Sequence, residues 1–183
     1  MNKSSRAVLL ALLLTPSLLA QQTDPADPRG ITTAWQEFLL QQAPRRWTGE
    51  WSSAAGTPSA IYGAGLRLEW GPIHEEAHAR RSADGVLARY AKLLGRGGST
   101  FAESIYGKVN HTHIFVYEQR YGGLTVLDGR ADVRINDSGV LAMFGSEAFQ
   151  IPADFGIKPG ITAETAMREA DRILASHLQG KVA

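Results

Sequence analysis

The sequence has no cysteine. That excludes disulfides, thiolate metal ligands, a cysteine nucleophile and a lipid-modified cysteine, so the fold must be held by its apolar core alone. Net charge is nearly absent as well. Nineteen Lys and Arg against 18 Asp and Glu give +1, which offers no electrostatic footprint for nucleic acid or an anionic membrane. Long apolar runs are missing: the stretch 7–20 is broken by Thr15-Pro16 and falls short of the roughly 20 residues of a comfortable membrane span. There is no G-x-S-x-G elbow around a serine nucleophile. The glycines of 95–98 follow a predicted helix and precede a predicted strand, the reverse of the order that cradles a phosphate.

What is present begins with an address. Lys3 and Arg6 precede the apolar run, which is followed by Leu18-Leu19-Ala20 and Gln21-Gln22. That order is an export signal with cleavage after Ala20. The expectation is an exported protein, secreted or periplasmic, without stable membrane insertion once the signal is cut. Removing 20 of 183 residues leaves 163, and removing Lys3 and Arg6 leaves 17 basic against 18 acidic residues. That length suits one ordinary domain or one and a half small ones, and a hydrophobic content of 44% can supply its core.

Along the chain, residues 21–31 are polar and carry Pro25 and Pro28, so they read as a flexible lead-in. Trp35, Phe38 and Leu39 lie at helical spacing and predict a helix over 32–43, stopped by Pro44. Residues 46–51 and 60–70 read as strands around a loop with Gly56 and Pro58. The main helix is predicted over 75–94, with Val86, Leu87, Tyr90, Leu93 and Leu94 as its apolar stripe and Gly95 as its stop. Strands follow at 101–106, 112–121, 124–135 and 140–144. In 124–135, Leu127, Ala131, Val133 and Ile135 alternate with Asp128, Arg130, Asp132 and Arg134, the pattern of a sheet with one wet face. Gly122-Gly123 and residues 136–139 supply the turns. After Pro159-Gly160, Thr162 caps a helix with a narrow stripe of Ala166, Met167, Ala170, Ile173 and Leu174.

Two groups of histidines bear on chemistry. His74-Glu75-Glu76-Ala77-His78 is a formal H-E-x-x-H, which on a helix would set two imidazoles on one face for zinc with Glu75 as the base. The position where thermolysin-like enzymes carry their third ligand is Gly98 here, and the next acid, Glu103, falls in a predicted strand. The motif also follows Gly71-Pro72 at a helix start, where acidic residues are favoured by the helix dipole. The preferred reading is therefore a solvated helix start. His111 and His113 project to one side of a strand and are candidates for a structural metal site, with His74 or His78. Two polar residues at a strand edge are the simpler account. Asn110-His-Thr112 and Asn136-Asp-Ser138 fit the glycan sequon, though turn chemistry accounts for the second.

The segment 116–145, VYEQRYGGLTVLDGRADVRINDSGVLAMFG, is the most informative in the chain. Its order of Gln119, Tyr121, Gly123, Val126 and Gly139 resembles the FTP module of fungalysin and thermolysin propeptides, over about residues 83–146. GTPSAIYGAGLRL, just upstream of the main helix, is similar to the segment that often precedes that module, and the helix over 162–178 resembles the opening of a PepSY module. The resemblance implies an α+β, cystatin-like fold: an antiparallel sheet of about four strands on one long helix, with an N-terminal helix and hairpin and a C-terminal helix. It implies an N-terminal portion at 32–72, an FTP-like domain at 73–152, and at 153–183 a linker with the first helix of an incomplete PepSY-like module. Gly123 and Gly139 would hold turns, Tyr121 and Val126 would pack across the first of them, and Gln119 would bond the turn backbone.

By that resemblance the chain is a non-catalytic propeptide without cofactor. It assists folding of, and inhibits, a cognate secreted zinc metalloprotease in cis or in trans. It is then expected to be part of a longer precursor. The alternatives are a free-standing exported binding or inhibitory module and a small zinc hydrolase using His74, Glu75 and His78.

Overall fold

Hairpin chemistry organises the middle of the chain. In a computed structural model that describes residues 30–152 and 154–179, short turns at 110–111, 122–123 and 137–139 link four consecutive antiparallel strands. In chain order the elements are α1 (Ile31–Gln42), β1 (Trp47–Trp51), β2 (Pro58–Arg67), α2 (Glu76–Arg89), β3 (Thr100–Val109), β4 (Thr112–Tyr121), β5 (Leu124–Asn136), β6 (Val140–Ser146) and α3 (Ala163–Gln179). The segment read as an export signal, and nearly all of the lead-in, lie outside the described residues.

The fold is α+β, and the sheet has six strands rather than about four, in the order β1-β2-β6-β5-β4-β3. The difference has one cause. β2 pairs antiparallel with β6, Ile61 opposite Phe144 and Tyr62 opposite Met143, so the N-terminal hairpin extends the sheet. Segments 32–72 and 73–152 therefore contribute strands to one sheet. Both Ile61 and Phe144 are fully buried, and this non-local pairing is sealed by apolar burial on the shared face.

α1 and α2 cover that face. Ile31, Ala34 and Phe38 of α1 and Ala79, Ala83, Val86 and Leu87 of α2 join Phe115, Tyr117, Ala131, Val133, Ile135, Leu141 and Phe144 of the sheet in one core. Phe38 is a hub, with ring centroids 5.2 Å from Trp47, 5.6 Å from Tyr90 and 5.7 Å from Phe144, each edge to face. α2 ends at Arg89, five residues before the predicted helix end at Leu94, because the residues from Tyr90 on close into turns. Tyr90, Leu93 and Leu94 remain buried from those turns. Gly85 stays within α2 because the Trp70 ring lies where a side chain would go.

β5 departs from its simple alternation at one place. Glu118 pairs with Arg130 and Arg120 with Thr125, so residues 126–129 stand opposite Gln119 alone. Asp128 takes a left-handed φ of 60° in this bulge, and the bulge turns Leu127 away from the core face to 85% exposure. Ala131, Val133 and Ile135 keep the expected alternation and are buried. α3 exposes its apolar stripe: Met167, Ile173 and Leu174 are all exposed.

Candidate functional site

The H-E-x-x-H segment straddles a helix boundary. Glu75 is the N-cap residue with extended φ and ψ, and α2 starts at Glu76. His74 thus precedes the helix and does not share a helical face with His78. Glu76 is engaged in a side-chain network. Arg80 binds Glu76 one turn away and Glu103 of β3 through two nitrogens, at 2.9 to 3.1 Å. Its guanidinium lies 4.9 Å from the Tyr106 ring centroid, and the two carboxylates, Glu103 first, raise its pKa above the usual arginine range. The motif therefore ties a helix start to a sheet edge strand.

His111 and His113 are brought together, and their shared partner is Asp137. His113 is buried; its Nε2 lies 3.0 Å from Asp137 Oδ1 and its Nδ1 3.1 Å from the Tyr106 hydroxyl. Exposed His111 places Nδ1 3.1 Å from Asp137 Oδ2, and the Lys108 ammonium sits 2.7 Å from Oδ1. Lys108 first, then the hydrogen bond from His111, lowers the Asp137 carboxyl to about 2. Neither His74 nor His78 is among these partners. Among the described residues, no group of three or more histidine, aspartate or glutamate side chains is disposed to hold a metal ion. Asp137 reads in sequence as a turn residue only; the signal for its second role is that His111 lies in the adjoining β3–β4 turn and His113 just after it.

The residues behind the family resemblance divide between the two ends of the sheet. Gln119 is fully buried in the β5 bulge. It does not bond the Gly122-Gly123 turn. Its Nε2 donates to the Phe149 carbonyl at 2.8 Å and to Ser99 Oγ at 2.9 Å, while its Oε1 accepts from the Phe149 amide at 2.9 Å. The bulge is what makes room for this side chain to turn away from the hairpin and pin the chain that leaves β6. Tyr121 donates its hydroxyl to the Pro152 carbonyl at 3.2 Å and meets Phe155 edge to face. With Val126, Ile151 and Ile157 it lines a groove of about 310 Å³. Gly123 has φ +84° in the β4–β5 turn. Gly139, at the far end with φ +75°, stands against the Gly71 carbonyl, and its own carbonyl accepts from Leu68 at 2.9 Å.

The sheet's second face is left open by α1 and α2. Across it run two rows set by strand register, Ile105–Val116–Asp132 and Ile114–Arg134–Met143–Tyr62. Ile105 and Tyr62 at the ends of these rows are exposed, and Val116, Ile114 and Met143 are half-buried. A depression of about 340 Å³ lies among Glu50, Arg130, Asp132, Arg134, Met143 and Glu147. Arg130 pairs with Glu147 at 2.6 Å and Arg134 with Asp132 at 3.1 Å. The arrangement presents apolar patches interleaved with satisfied charges.

Neither a protein-family model nor a curated protein matches the chain. Among solved structures it is similar to the Bacillus megaterium YpeB C-terminal domain, at 12% identity over 75% of this chain and 71% of that one, with a TM-score of 0.45.

Proposed function

We propose that the chain is a non-catalytic, propeptide-type protein-binding domain. It is exported, assists the folding of a secreted thermolysin- or fungalysin-like zinc metalloprotease, and inhibits it. The observation that carries the binding role is the one-sided sheet. Six strands bury one face under α1 and α2 and offer the other, with Ile105 and Val109 of edge strand β3 exposed beside it. An apolar strip bordered by paired charges suits a protein partner, since the apolar area supplies affinity and the charges set register. The free edge of β3 can also accept an added strand. The partner class comes from the resemblance of 116–145 to FTP modules. The residues of that resemblance have backbone and packing tasks here: Gln119 pins the chain at Phe149 and Gly139 fits against Gly71.

Incubating the purified chain with a secreted thermolysin-like protease and following peptide hydrolysis tests this reading. Saturable loss of protease activity, relieved by Ile105→Asp on the open face, supports it. Undiminished protease activity at every concentration of the chain rejects it.

A further inference from the structure

A second surface, away from the open sheet face, carries a different combination of features. The turns after α2 form one wall of a groove of about 520 Å³ that includes Lys92, Arg96, Gly97 and Gly98. Among the described residues no acidic one lines it. Neither the Lys92 ammonium nor the Arg96 guanidinium has a carboxylate partner among the described residues. Among the described residues, Arg96 Nε is buried without a hydrogen-bond acceptor. An arginine nitrogen removed from water and left without an acceptor is costly, and the helix end does not explain it. The backbone carbonyls here are taken by backbone amides, Lys92 by Gly95 at 3.0 Å and Ala91 by Arg96 at 3.1 Å.

The opposite wall is Gln150, Ile151 and Pro152, and these same three residues also wall the apolar groove beneath Tyr121 and Phe155. They belong to no strand, and neither the Gln150 nor the Ile151 amide donates a hydrogen bond within the described residues. The segment therefore has a basic groove on one side, an apolar groove on the other and unused backbone donors between them. Successive side chains of an extended strand point to opposite sides. A strand laid along 150–152 sets one side chain into each groove.

We propose that this segment is a binding site for an extended polypeptide of a partner protein in which an acidic side chain is followed by an apolar one. The carboxylate meets the Lys92 ammonium and the Arg96 guanidinium at the groove wall, neither of which has a carboxylate partner among the described residues. The apolar side chain enters between Tyr121, Val126 and Ile157, and the backbone at 150–151 offers an unused amide to a partner carbonyl. The site goes beyond the open-face reading and stands or falls without it.

The test is an NMR titration of the full chain with a blocked hexapeptide of alternating aspartate and leucine. Parallel arms use the asparagine–leucine and aspartate–alanine peptides and sodium acetate. Saturable shifts are expected at the Gly97, Gly98 and Ile151 amides, with affinity falling about tenfold or more for either altered peptide and for Arg96→Gln. Lys92→Gln, at an exposed position, gives a smaller loss in the same direction and decides the matter if Arg96→Gln fails to fold. The proposal is overturned by an absence of shifts, by equal affinity for the aspartate and asparagine peptides, or by either folded variant binding as well as wild type. Acetate saturating the same amides as tightly as the peptide also overturns it, since the groove then takes a small anion and not a strand.

Discussion

Gln119 and the backbone of Phe149, thirty residues apart, hold each other as two strands would. The side-chain amide donates to the Phe149 carbonyl at 2.8 Å and accepts from the Phe149 amide at 2.9 Å. A side chain thus substitutes for a ladder partner at the point where the chain leaves β6. Replacing it with alanine leaves both Phe149 groups and Ser99 Oγ unpaired in a buried site. Gln119→Ala is expected to cost about 2–4 kcal/mol, read from urea unfolding, with amide exchange at Phe149 accelerated ahead of the β4–β5 ladder.

Asp137 links acid stability to the β3–β4 turn. Its folded pKa, about 2, lies below the ordinary 3.8. A depressed carboxyl stabilises the fold above the unfolded value, and that contribution drains away as pH falls from about 3.8 towards 2. Asp137→Asn should therefore lower the urea midpoint at neutral pH. The gap between variant and wild type should narrow as the pH is taken down through that window. A gap that is constant with pH contradicts the assignment.

Gly123 and Gly139 both have positive φ, and they differ in what surrounds them. An alanine at 123 meets nothing within 4 Å and bears only the left-handed backbone strain of about 1–2 kcal/mol. At 139 the same methyl group runs into the Gly71 carbonyl and the Pro72 nitrogen, so the loop after β2 must shift as well. Gly139→Ala is expected to destabilise distinctly more than Gly123→Ala, as a larger drop in melting temperature in parallel scans.

His74 and His78 test the zinc alternative. Because α2 starts at Glu76, the pair lacks the shared helical face that zinc ligation by H-E-x-x-H needs. The purified protein is expected to take up no stoichiometric zinc in calorimetric titration, and Glu75→Gln to leave the melting temperature unchanged. One equivalent of tightly held zinc, lost in His74→Ala and His78→Ala, would restore the hydrolase reading.

Legibility in the sequence followed the range of the forces involved. The β4–β5 and β5–β6 hairpins could be read because their turns are local, Gly122-Gly123 and Asn136 to Gly139, and the flanking alternation is clear. The N-terminal hairpin was also readable, but its union with β6 was not. That pairing joins Ile61 to Phe144 across 83 residues, and neither strand encodes its neighbour. The exposure of Leu127 depends on the Asp128 bulge, which alternation alone does not reveal. Both histidines of the β3–β4 turn were visible as a pair, while their acceptor, Asp137, was hidden in a turn that its own chemistry already explained. Lys92 and Arg96 carry no signal in the sequence, because only the packing of 150–152 across from them forms a groove.

The central claim is that this fold grips another protein and performs no reaction. Its most direct measurement is the activity of a secreted thermolysin-like protease refolded with and without the purified chain. The account predicts a higher yield of folded protease in its presence and, at equal concentrations of folded enzyme, saturable inhibition that Ile105→Asp weakens. Unchanged yield together with full protease activity would contradict it.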